Sequence, residues 1–387
     1  MPLRVLVTTS GGIGHVQPMV PLARALVARG HDVLWALPDR SVDQVEQAGL
    51  HAVGVTSMPP VHPPEVLRQF PGLRELPPPE RPEHMFAKLF GALMAPPMLA
   101  GLGPVAHEWR PDLLVSDAAE LAGPLVAAEL GVPGVAKGFG PLLPEPRMAR
   151  AAQEVAPLWQ SRGLQPRPYG GMYDHLYLDT YPPGLAQPSA PHVPHRQQMR
   201  PVSWTGPTDA AARLPLPSAR QDRPLVYLTM GTVFSDVALV QELIDALAQL
   251  DVRLLVTLGP QGDPALITEQ LAHVRVERYV PQLALLPHCD VVVSHAGSGT
   301  CVSALELGLP QLCLPQGADQ FLNATSIQAA GAGLCLLPGE ATADAVRDAV
   351  GRLLDDGSFR QMASRVGRSI AQMPSLDEVC GVLEALV

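Results

Sequence analysis

The chain of 387 residues has few aromatic side chains and almost no lysine. Phe, Trp and Tyr make up 4% of it, so a folded core must be built mainly from Leu, Val and Ala. Lysine occurs only at Lys88 and Lys137, and the formal net charge at pH 7 is −10. An acidic chain without a basic surface is a poor partner for nucleic acid or for an anionic membrane, so we expect it to bind neither.

Disulfides, membrane spans and metal motifs are also missing from the sequence. Its five cysteines form no C-x-x-C pair, which favours free, buried thiols in a reducing cytoplasm. No apolar run reaches the ~18 residues of a membrane span, and no signal peptide precedes the first predicted strand. The chain contains no D-x-D triplet for a divalent cation, and His192-x-x-His195 has no third ligand nearby. We therefore expect no membrane span and no metal site.

What the sequence does contain is an alternation of predicted strands and helices. Apolar residues account for 47% and charged residues for 17% of the chain, which is typical of a globular protein, and the length favours two domains. The alternation indicates parallel sheets with right-handed crossovers. We predict an α/β protein with two facing Rossmann-like, doubly wound domains and an interdomain cleft.

The predicted domain boundaries follow from composition. Residues 1–205 form the N-terminal domain, 206–224 a linker rich in Pro, Ala, Asp and Arg, and 225–387 the C-terminal domain. The last helix is a candidate to pack back on the N-terminal domain. Within the domains we predict an irregular Pro-rich loop over 58–82, and helices over 17–29, 83–94, 97–107 and 264–272.

The stretch from Asp290 to Gln320 is the most informative motif. A predicted buried strand ends at Ser294-His295, and the small residues Gly297, Ser298, Gly299 and Thr300 then open a helix. Such a turn directs backbone N–H groups and the positive end of the helix dipole at one point, which favours an anion such as a diphosphate. After the next strand, the carboxylate and amide of Asp319 and Gln320 are suited to bind sugar hydroxyls.

A second glycine-containing loop, from Thr9 to His15, follows the first strand. It fits the dinucleotide fingerprint G-x-G-x-x-G only in part because Gln17 replaces the third glycine, so a nicotinamide cofactor stays an alternative. We place His15 at a helix entry, where burial and the dipole are expected to lower its pKa. A neutral imidazole there is suited to act as a general base, with a structural hydrogen bond as the alternative. Asp117, at a strand end, either orients His15 or caps the following helix.

Three further groups of residues are candidates for binding. Tyr279 and Val280 could stack on a nucleobase and hydrogen bond its edge, or could simply anchor their loop. Apolar, Met-rich segments at 58–100 and 138–175 suit a large hydrophobic acceptor, although about half of their apolar residues belong to an ordinary core by this interpretation. Candidate phosphate contacts are Ser10, Gly12, Gly231 and Thr232, and candidate acceptor contacts are Phe70, Met85, Phe90, Met94, Phe139 and Met172.

Together these motifs resemble those of nucleotide-sugar-dependent natural-product glycosyltransferases with the GT-B fold. The bacterial antibiotic and polyketide group is the closest in character. The resemblance covers nearly the whole chain. It is carried by the segments Gly11–His15, Val226–Val233 and His295–Thr300, the last running on to Asp319-Gln320.

The resemblance implies a role for each motif. His15 would deprotonate the acceptor hydroxyl with Asp117 as its partner, and Tyr279 and Val280 would bind the nucleobase. Ser303 stands where plant members of the family carry a Glu that binds the ribose hydroxyls. Since deoxyribose has no 2′-OH, this favours a thymidine diphosphate (TDP) sugar over a uridine diphosphate (UDP) sugar. The implied diphosphate ligands are His295, Gly297, Ser298, Gly299 and Thr300, and the implied sugar ligands are Asp319 and Gln320.

The predicted function is an inverting, metal-independent transfer of a sugar, preferably a deoxysugar, from a TDP donor to a hydroxyl of a large hydrophobic natural-product aglycone. The nucleotide sugar is a substrate, no cofactor is expected, and the enzyme would be a cytoplasmic monomer or homodimer. A nucleotide-sugar 2-epimerase of similar fold is one alternative, which needs further carboxylates and turns over without an acceptor. A non-catalytic nucleotide-sugar-binding helper is the other, and it has no need of His15.

Overall fold

The computed structural model describes residues 1–61, 63–76, 80–187, 189–204, 206, 214–219, 221–231, 237–259, 262–268 and 271–387. The chain divides into two compact units. Unit 1 comprises Met1–Tyr181, Pro188–Gly206 and Pro374–Val387, and unit 2 comprises Pro182–Gln187 and Pro207–Met373. The predicted linker at 206–224 lies partly outside the described residues.

Unit 1 is built on a seven-stranded sheet in which every neighbouring pair is parallel. Its strands are β1 (Arg4–Thr8), β2 (Asp32–Pro38), β3 (His51–Thr56), β4 (Leu113–Asp117), β5 (Gly134–Lys137), β6 (Leu176–Asp179) and β7 (Arg196–Gln198). Their order is β3-β2-β1-β4-β5-β6-β7. The central strands are nearly continuous apolar runs because both faces of the sheet are covered. In β1, for example, Val5 packs in one hydrophobic cluster and Leu6 in the other.

Helices cover both faces of the unit 1 sheet. They are α1 (Ile13–Val16), α2 (Val20–Ala28), α3 (Val42–Glu46), α4 (Pro63–Gln69), α5 (Arg81–Phe86), α6 (Ala95–Trp109), α7 (Gly123–Leu130) and α8 (Glu145–Ser161). A π-helix spans Ala87–Met94, and single 3₁₀ turns span Asp39–Ser41, Pro71–Arg74 and Pro168–Gly171. The strand order changes direction between β1 and β4, and ligands of doubly wound sheets bind beyond the carboxyl ends of strands at such a point.

The helices predicted at 83–94 and 97–107 are one continuous helical run, Arg81–Trp109, made of α5, the π-helix and α6. The run continues through Pro96 and Pro97 because proline is tolerated in the first turn of a helix. Among the described residues it is the one helix long and apolar enough, by length and composition alone, to cross a membrane. Met98 and Leu102 on this run pack in the hydrophobic core of unit 1, so it is a core helix.

Three other predicted elements differ from the structure. The helix predicted at 17–29 corresponds to α2, which begins later, at Val20, because Pro18 has no N–H group to donate; a separate short helix, α1, precedes it. The Pro-rich loop predicted at 58–82 contains α4, which carries Pro63 and Pro64 in its first turn. The helix predicted at 264–272 is wrong for the part that the structure describes: over 262–268 only a 3₁₀ turn forms, at Pro264–Leu266, and Ile267 is already extended.

Unit 2 repeats the same architecture with a six-stranded parallel sheet. Its strands are β8 (Leu225–Thr229), β9 (Arg253–Thr257), β10 (Val274–Glu277), β11 (Val291–Ser294), β12 (Gln311–Cys313) and β13 (Gly333–Cys335), in the order β10-β9-β8-β11-β12-β13. Its helices are α9 (Val237–Leu247), α10 (Gln282–Leu285), α11 (Ser298–Glu306), α12 (Gln320–Ala329), α13 (Ala343–Asp355) and α14 (Gly357–Ala371), with 3₁₀ turns at Pro264–Leu266 and Leu286–His288. The predicted α/β fold with two Rossmann-like sheets is therefore confirmed.

The last helix of the chain, α15 (Leu376–Glu384), belongs to unit 1. Val379 and Leu383 are fully buried in one of the two hydrophobic clusters of that unit. At the helix end, Glu384 accepts hydrogen bonds from Arg29 and from His31 Nε2, at 2.8 and 2.9 Å. These hydrogen bonds lower the pKa of Glu384 to about 2, so the carboxylate is charged at any ordinary pH.

Candidate active site

The loop after β1 brings His15 to the carboxyl edge of the unit 1 sheet. Gly11 and Gly12 have φ angles of 81° and 87°, which glycine adopts without strain and which turn the chain sharply from the strand into α1. His15 Nδ1 then lies 3.3 Å from Oδ1 of Asp117, the last residue of β4. The side chain of His15 is 22% exposed and that of Asp117 only 1%.

The carboxylate of Asp117 is held by the main chain around it. It accepts N–H groups from Ser10 at 2.9 Å and Ala119 at 2.7 Å, and the hydroxyl of Ser10 lies at 3.4 Å. Since a carboxylate only accepts, Nδ1 of His15 carries the hydrogen of the shared bond and Nε2 is the nitrogen able to take up a proton. Ser10, a predicted phosphate contact, is thus buried against Asp117, and Gly12 donates its N–H to Ser41 Oγ at 3.2 Å.

Asp117 does not cap the following helix, which was the alternative for this residue. That role falls to Glu120, which accepts the N–H groups of Ala122 and Gly123 at 2.9 and 2.7 Å at the start of α7. Burial raises the pKa of Glu120 to about 7; the charge of Asp117 adds to the effect and the hydrogen bonds from the main chain oppose it. A second buried carboxyl group therefore lies beside the pair.

Two phenylalanines line the imidazole of His15. Its ring centroid lies 5.5 Å from that of Phe90 on the π-helix and 5.0 Å from that of Phe139 in the loop after β5. Both were predicted acceptor contacts, and they provide apolar surface next to the nitrogen that would accept a proton.

The other predicted acceptor contacts lie in different surroundings. Met94 and Met172 are buried in the hydrophobic core of unit 1, as expected for part of this set. Phe70 lies 4.9 Å from Lys88 Nζ, and Met85 is half-buried. The structure therefore brings only Phe90 and Phe139 against His15 by ring contact among the described residues.

The unit 2 sheet places a helix start at the equivalent edge. β11 ends at Ser294, Ala296 adopts a left-handed φ of 64°, and α11 begins at Ser298 with Gly297 as its N-cap. Gly297 has no side chain to cap the helix, so within the described part of the chain the first N–H groups of α11 have neither a helix carbonyl nor a capping side chain as partner. A helix start of this kind suits an anion, and the sequence predicts an anion site at this turn.

His295 lies beside this turn in a tight space. Burial lowers its pKa, whereas the charge of Asp319 and a hydrogen bond to the main chain of Thr229 oppose the shift. Within the described part of the chain, its buried Nδ1 has no hydrogen-bond partner. A Cβ added at Gly231 or Gly297 would come within 2.7 or 2.6 Å of Nε2, so both positions need glycine if the ring is to keep its place.

The hydroxyls predicted to bind phosphate already have partners. Ser298 Oγ donates to Asp319 Oδ2 at 2.6 Å, and Thr300 Oγ1 donates to Gln282 Oε1 at 3.4 Å. The N–H groups of the turn, including that of Gly299, are therefore better placed than these hydroxyls to donate to an anion.

The predicted sugar ligands also contact their own loop. Gln320 Oε1 accepts the N–H groups of Gln316 and Gly317 at 2.7 and 3.0 Å, which leaves its NH₂ group to donate. Asp319 Oδ2 is held by Ser298 and, at 3.2 Å, by Asn323 Nδ2.

Asn323 was not predicted as part of the site. Its side chain is 1% exposed, and Nδ2 lies 2.9 Å from both the carbonyl oxygen of Ala296 and Oγ of Ser298. It thereby joins the phosphate turn to Asp319. The signal was its position four residues after Asp319, which puts both on one face of α12, but α12 itself was not predicted.

The predicted nucleobase segment has one exposed and one buried side chain. Tyr279 is 51% exposed, whereas Val280 is 3% exposed and packs in a core cluster of unit 2. Only the main-chain groups of Val280 are therefore suited to hydrogen bond the edge of a nucleobase. Gly231 adopts a φ of 77° after β8, and Thr232 lies outside the described residues.

The histidines and cysteines do not form a metal site in the part of the chain that the structure describes. Across the described ranges, no group of three or more His, Cys, Asp or Glu side chains is arranged to hold a metal ion. His192 is buried and His195 is exposed. All five cysteines are free thiols; four are buried, and Cys335 is only half-buried, unlike the prediction that all are buried.

Comparison with known proteins finds relatives that match nearly the whole chain. Residues 241–386 match the family model described as Erythromycin biosynthesis protein CIII-like, C-terminal domain. The L-demethylnoviosyl transferase of Streptomyces niveus is 34% identical over 96% of this chain and 95% of its own length. The TDP-daunosamine transferase DnrS of Streptomyces peucetius is 31% identical over 99% of this chain and 97% of its own.

A solved structure extends the similarity to three dimensions. The spinosyn rhamnosyltransferase SpnG complexed with thymidine diphosphate has a TM-score of 0.82 and 29% identity, covering 99% of this chain and 100% of that one. Two parallel Rossmann-like sheets and this similarity to solved glycosyltransferases define a GT-B enzyme. The chain belongs to the family of bacterial natural-product glycosyltransferases, which transfer sugars in antibiotic biosynthesis.

Proposed function

We propose that this glycosyltransferase transfers a deoxysugar from a TDP donor to a hydroxyl of a large hydrophobic aglycone, by one inverting displacement that needs no metal. The observation that carries the proposal is the pair formed by His15 and Asp117. Asp117 is buried and held by main-chain N–H groups, and it fixes the hydrogen of His15 on Nδ1.

In this reaction His15 Nε2 accepts the proton of the acceptor hydroxyl as its oxygen attacks the anomeric carbon. The imidazolium that forms is stabilised by the carboxylate of Asp117. Phe90 and Phe139 beside the ring suit an apolar aglycone. Attack on the face opposite the departing diphosphate inverts the anomeric configuration.

The departing diphosphate would bind at the start of α11. The N–H groups of the first turn, the helix dipole and His295 would act together on the charge that develops on the leaving oxygen. Asp319 is held by Ser298 and Asn323, and its carboxylate would accept hydrogen bonds from sugar hydroxyls. These groups would stabilise the negative charge of the leaving diphosphate without a metal cation.

Two observations support TDP as the nucleotide. Ser303 is a short, buried residue on α11, so it offers no carboxylate to a ribose 2′-OH. The relatives include a protein named as a TDP-daunosamine transferase and one solved with thymidine diphosphate. We infer a cytoplasmic enzyme that takes a nucleotide sugar as substrate, without a cofactor.

The test combines donor binding with product analysis. Calorimetry should show tighter binding of TDP than of UDP, and a panel of TDP-deoxysugars and aglycones analysed by mass spectrometry should give a glycoside whose anomeric coupling in NMR is inverted relative to the donor. His15→Gln should lose transfer and keep TDP affinity within about twofold, and EDTA should have no effect. Retained configuration, preference for UDP or inhibition by EDTA would each overturn the corresponding part. Turnover of the donor without any acceptor would instead favour the epimerase.

A further inference from the structure

Lys137, one of the two lysines in the chain, is 2% exposed at the end of β5. It is paired in register with Asp117 across the parallel strands β4 and β5, and such neighbours lie about 5 Å apart. Two residues earlier, the paired Val115 and Val135 belong to the same core cluster. Since side chains alternate along a strand, Asp117 and Lys137 point to that same face of the sheet.

An ammonium group buried at this position needs a counter-charge. Burial lowers the pKa of Lys137 to about 8, and the charge of Asp117 opposes that shift. The aspartate of the proposed catalytic pair therefore has two cationic neighbours when His15 is protonated: the imidazolium and the ammonium.

Lys137 also contacts the loop that follows β5 and carries Phe139. Its Nζ donates to the carbonyl oxygen of Gly138 at 3.0 Å, and Thr180 Oγ1 donates to the same oxygen at 3.2 Å. The next residue is Phe139, whose ring packs against His15. One buried lysine thus touches the loop that carries the aromatic wall and lies next to the aspartate that orients the base.

We propose that Lys137 is a positioning residue for His15, acting as the counter-ion of Asp117 and as the anchor of the loop that carries Phe139. The proposal rests on the proposed role of His15 as the base. A carboxylate balanced by a cation favours a neighbouring imidazolium less than an unbalanced one does. Lys137 therefore limits the protonation of His15 in the resting enzyme and keeps the imidazole ready to accept a proton.

Other groups around the pair are either already balanced or uncharged, or carry a negative charge. Glu120 lies in the turn after β4. The charge of Asp117 contributes to its raised pKa, so the two carboxyl groups oppose each other's ionisation. Asp179, at the end of β6, is paired with Arg196, so its charge is balanced. Ser10 and Ala119 contribute uncharged N–H groups, and Phe90 and Phe139 are uncharged. Among these described neighbours, Lys137 is thus the cation whose removal changes the net charge around Asp117.

The decisive experiment titrates His15 directly. Histidine-labelled protein is followed by NMR against pH in the wild type, Lys137→Met and Lys137→Arg, with the His15 signal identified by its loss in His15→Gln. Removing the cation should move the His15 titration up by roughly half to one pH unit, whereas Lys137→Arg should titrate as the wild type. An unchanged titration in Lys137→Met, or equal shifts in both variants, would overturn the proposal.

Transfer kinetics give the second measurement. In Lys137→Met the acid limb of the kcat/KM profile should move up with the NMR titration, giving a loss of roughly three- to tenfold on that limb and little loss above it. A uniform loss at every pH would mean a merely structural role. If circular dichroism shows that Lys137→Met is unfolded, Lys137→Gln replaces it as the neutral variant. If the wild type shows no transfer, the proposed function fails, but the NMR titration still decides the role of Lys137.

Discussion

His15 and His295 occupy similar places in the two units but have different surroundings. Each follows a central strand of a parallel sheet and lies beside a turn that needs glycine. His15 is hydrogen bonded to the carboxylate of Asp117 and lined by two phenylalanines. The ring of His295 is packed against two glycines, and its Nδ1 has no hydrogen-bond partner in the described part of the chain.

The difference shows how the partner of an imidazole decides its chemistry. A buried carboxylate stabilises the imidazolium that forms when the ring accepts a proton. Burial against main-chain groups lowers the pKa of His295 and favours a neutral ring, which is suited to hydrogen bond a ligand rather than to take up its proton. By the proposed function, a strand-turn-helix element would thus serve acid–base chemistry after β1 and anion binding after β11.

The largest effect is expected from removing the carboxylate that distinguishes the two sites. Asp117→Asn leaves the shape of the side chain but no longer fixes the tautomer of His15 or stabilises its charged form, so kcat should fall roughly 10²–10⁴-fold. Steady-state kinetics measures the loss. Asp112→Asn, which alters a carboxylate at the other end of β4, is the matched control and should stay within about twofold. Near-normal turnover in Asp117→Asn would remove the pair from the mechanism.

A smaller effect should follow from displacing the imidazole of the other site. In Gly297→Ala the new Cβ would lie 2.6 Å from Nε2 of His295, so the ring must move and TDP affinity should fall about tenfold. Isothermal titration calorimetry tests this against Gly351→Ala in α13, where an added Cβ meets nothing within 4 Å. Equal affinities in the two variants would argue against His295 as a diphosphate ligand.

Removing the hydrogen bonds that join the turn before α11 to Asp319 should have a more moderate effect on kcat/KM. Asn323→Leu removes the amide that bonds Ala296, Ser298 and Asp319, so kcat/KM for the nucleotide sugar should fall roughly three- to tenfold. Thr325→Val, on the exposed face of the same helix, is the control for a change in α12. If the loss for the nucleotide sugar equals the loss of TDP affinity, Asn323 acts on the turn alone and not on Asp319.

The smallest effect concerns stability at the His15 site. Because the pKa of Glu120 is raised to about 7, its contribution to stability is fully present below the unfolded value near 4.5 and is lost as pH rises through about 7. The Tm of the wild type should therefore fall between pH 5 and pH 8 by roughly a few degrees more than that of Glu120→Gln. Glu108→Gln, at an exposed position, should keep the wild-type slope. Parallel Tm curves for the wild type and Glu120→Gln would show that Glu120 does not titrate in this range.

The sequence predicted the fold and the ends of the strands better than it predicted the helices. The strand ending at Ser294 was placed correctly because its run of valines is bounded by a polar residue and a glycine turn. The first predicted helix begins at Val20 and not at Gln17, because Pro18 lacks an N–H group although the apolar period extends over it. Pro96 and Pro97 left a helix intact because they fall in the first turn of α6.

For the site, local motifs led to His15, Asp117, His295 and Asp319 but not to the residues that hold them. Glu120 makes local contacts in the turn after β4, whereas Lys137 and Asn323 make contacts that depend on which strands become neighbours in the sheet. The pairing of Lys137 with Asp117, for example, requires that β4 and β5 be adjacent. Such contacts have no periodicity or spacing that one sequence can reveal.

The placement of α15 has a consequence for engineering. Pro374–Val387 is the end of the chain, yet it belongs to unit 1, where Glu384 is bonded by Arg29 and His31. A chimaera that exchanges everything after the predicted linker would bring a foreign C-terminal helix to the core of unit 1. A hybrid built to combine new donors with this acceptor unit should therefore end its exchanged segment at Met373 and keep the native tail.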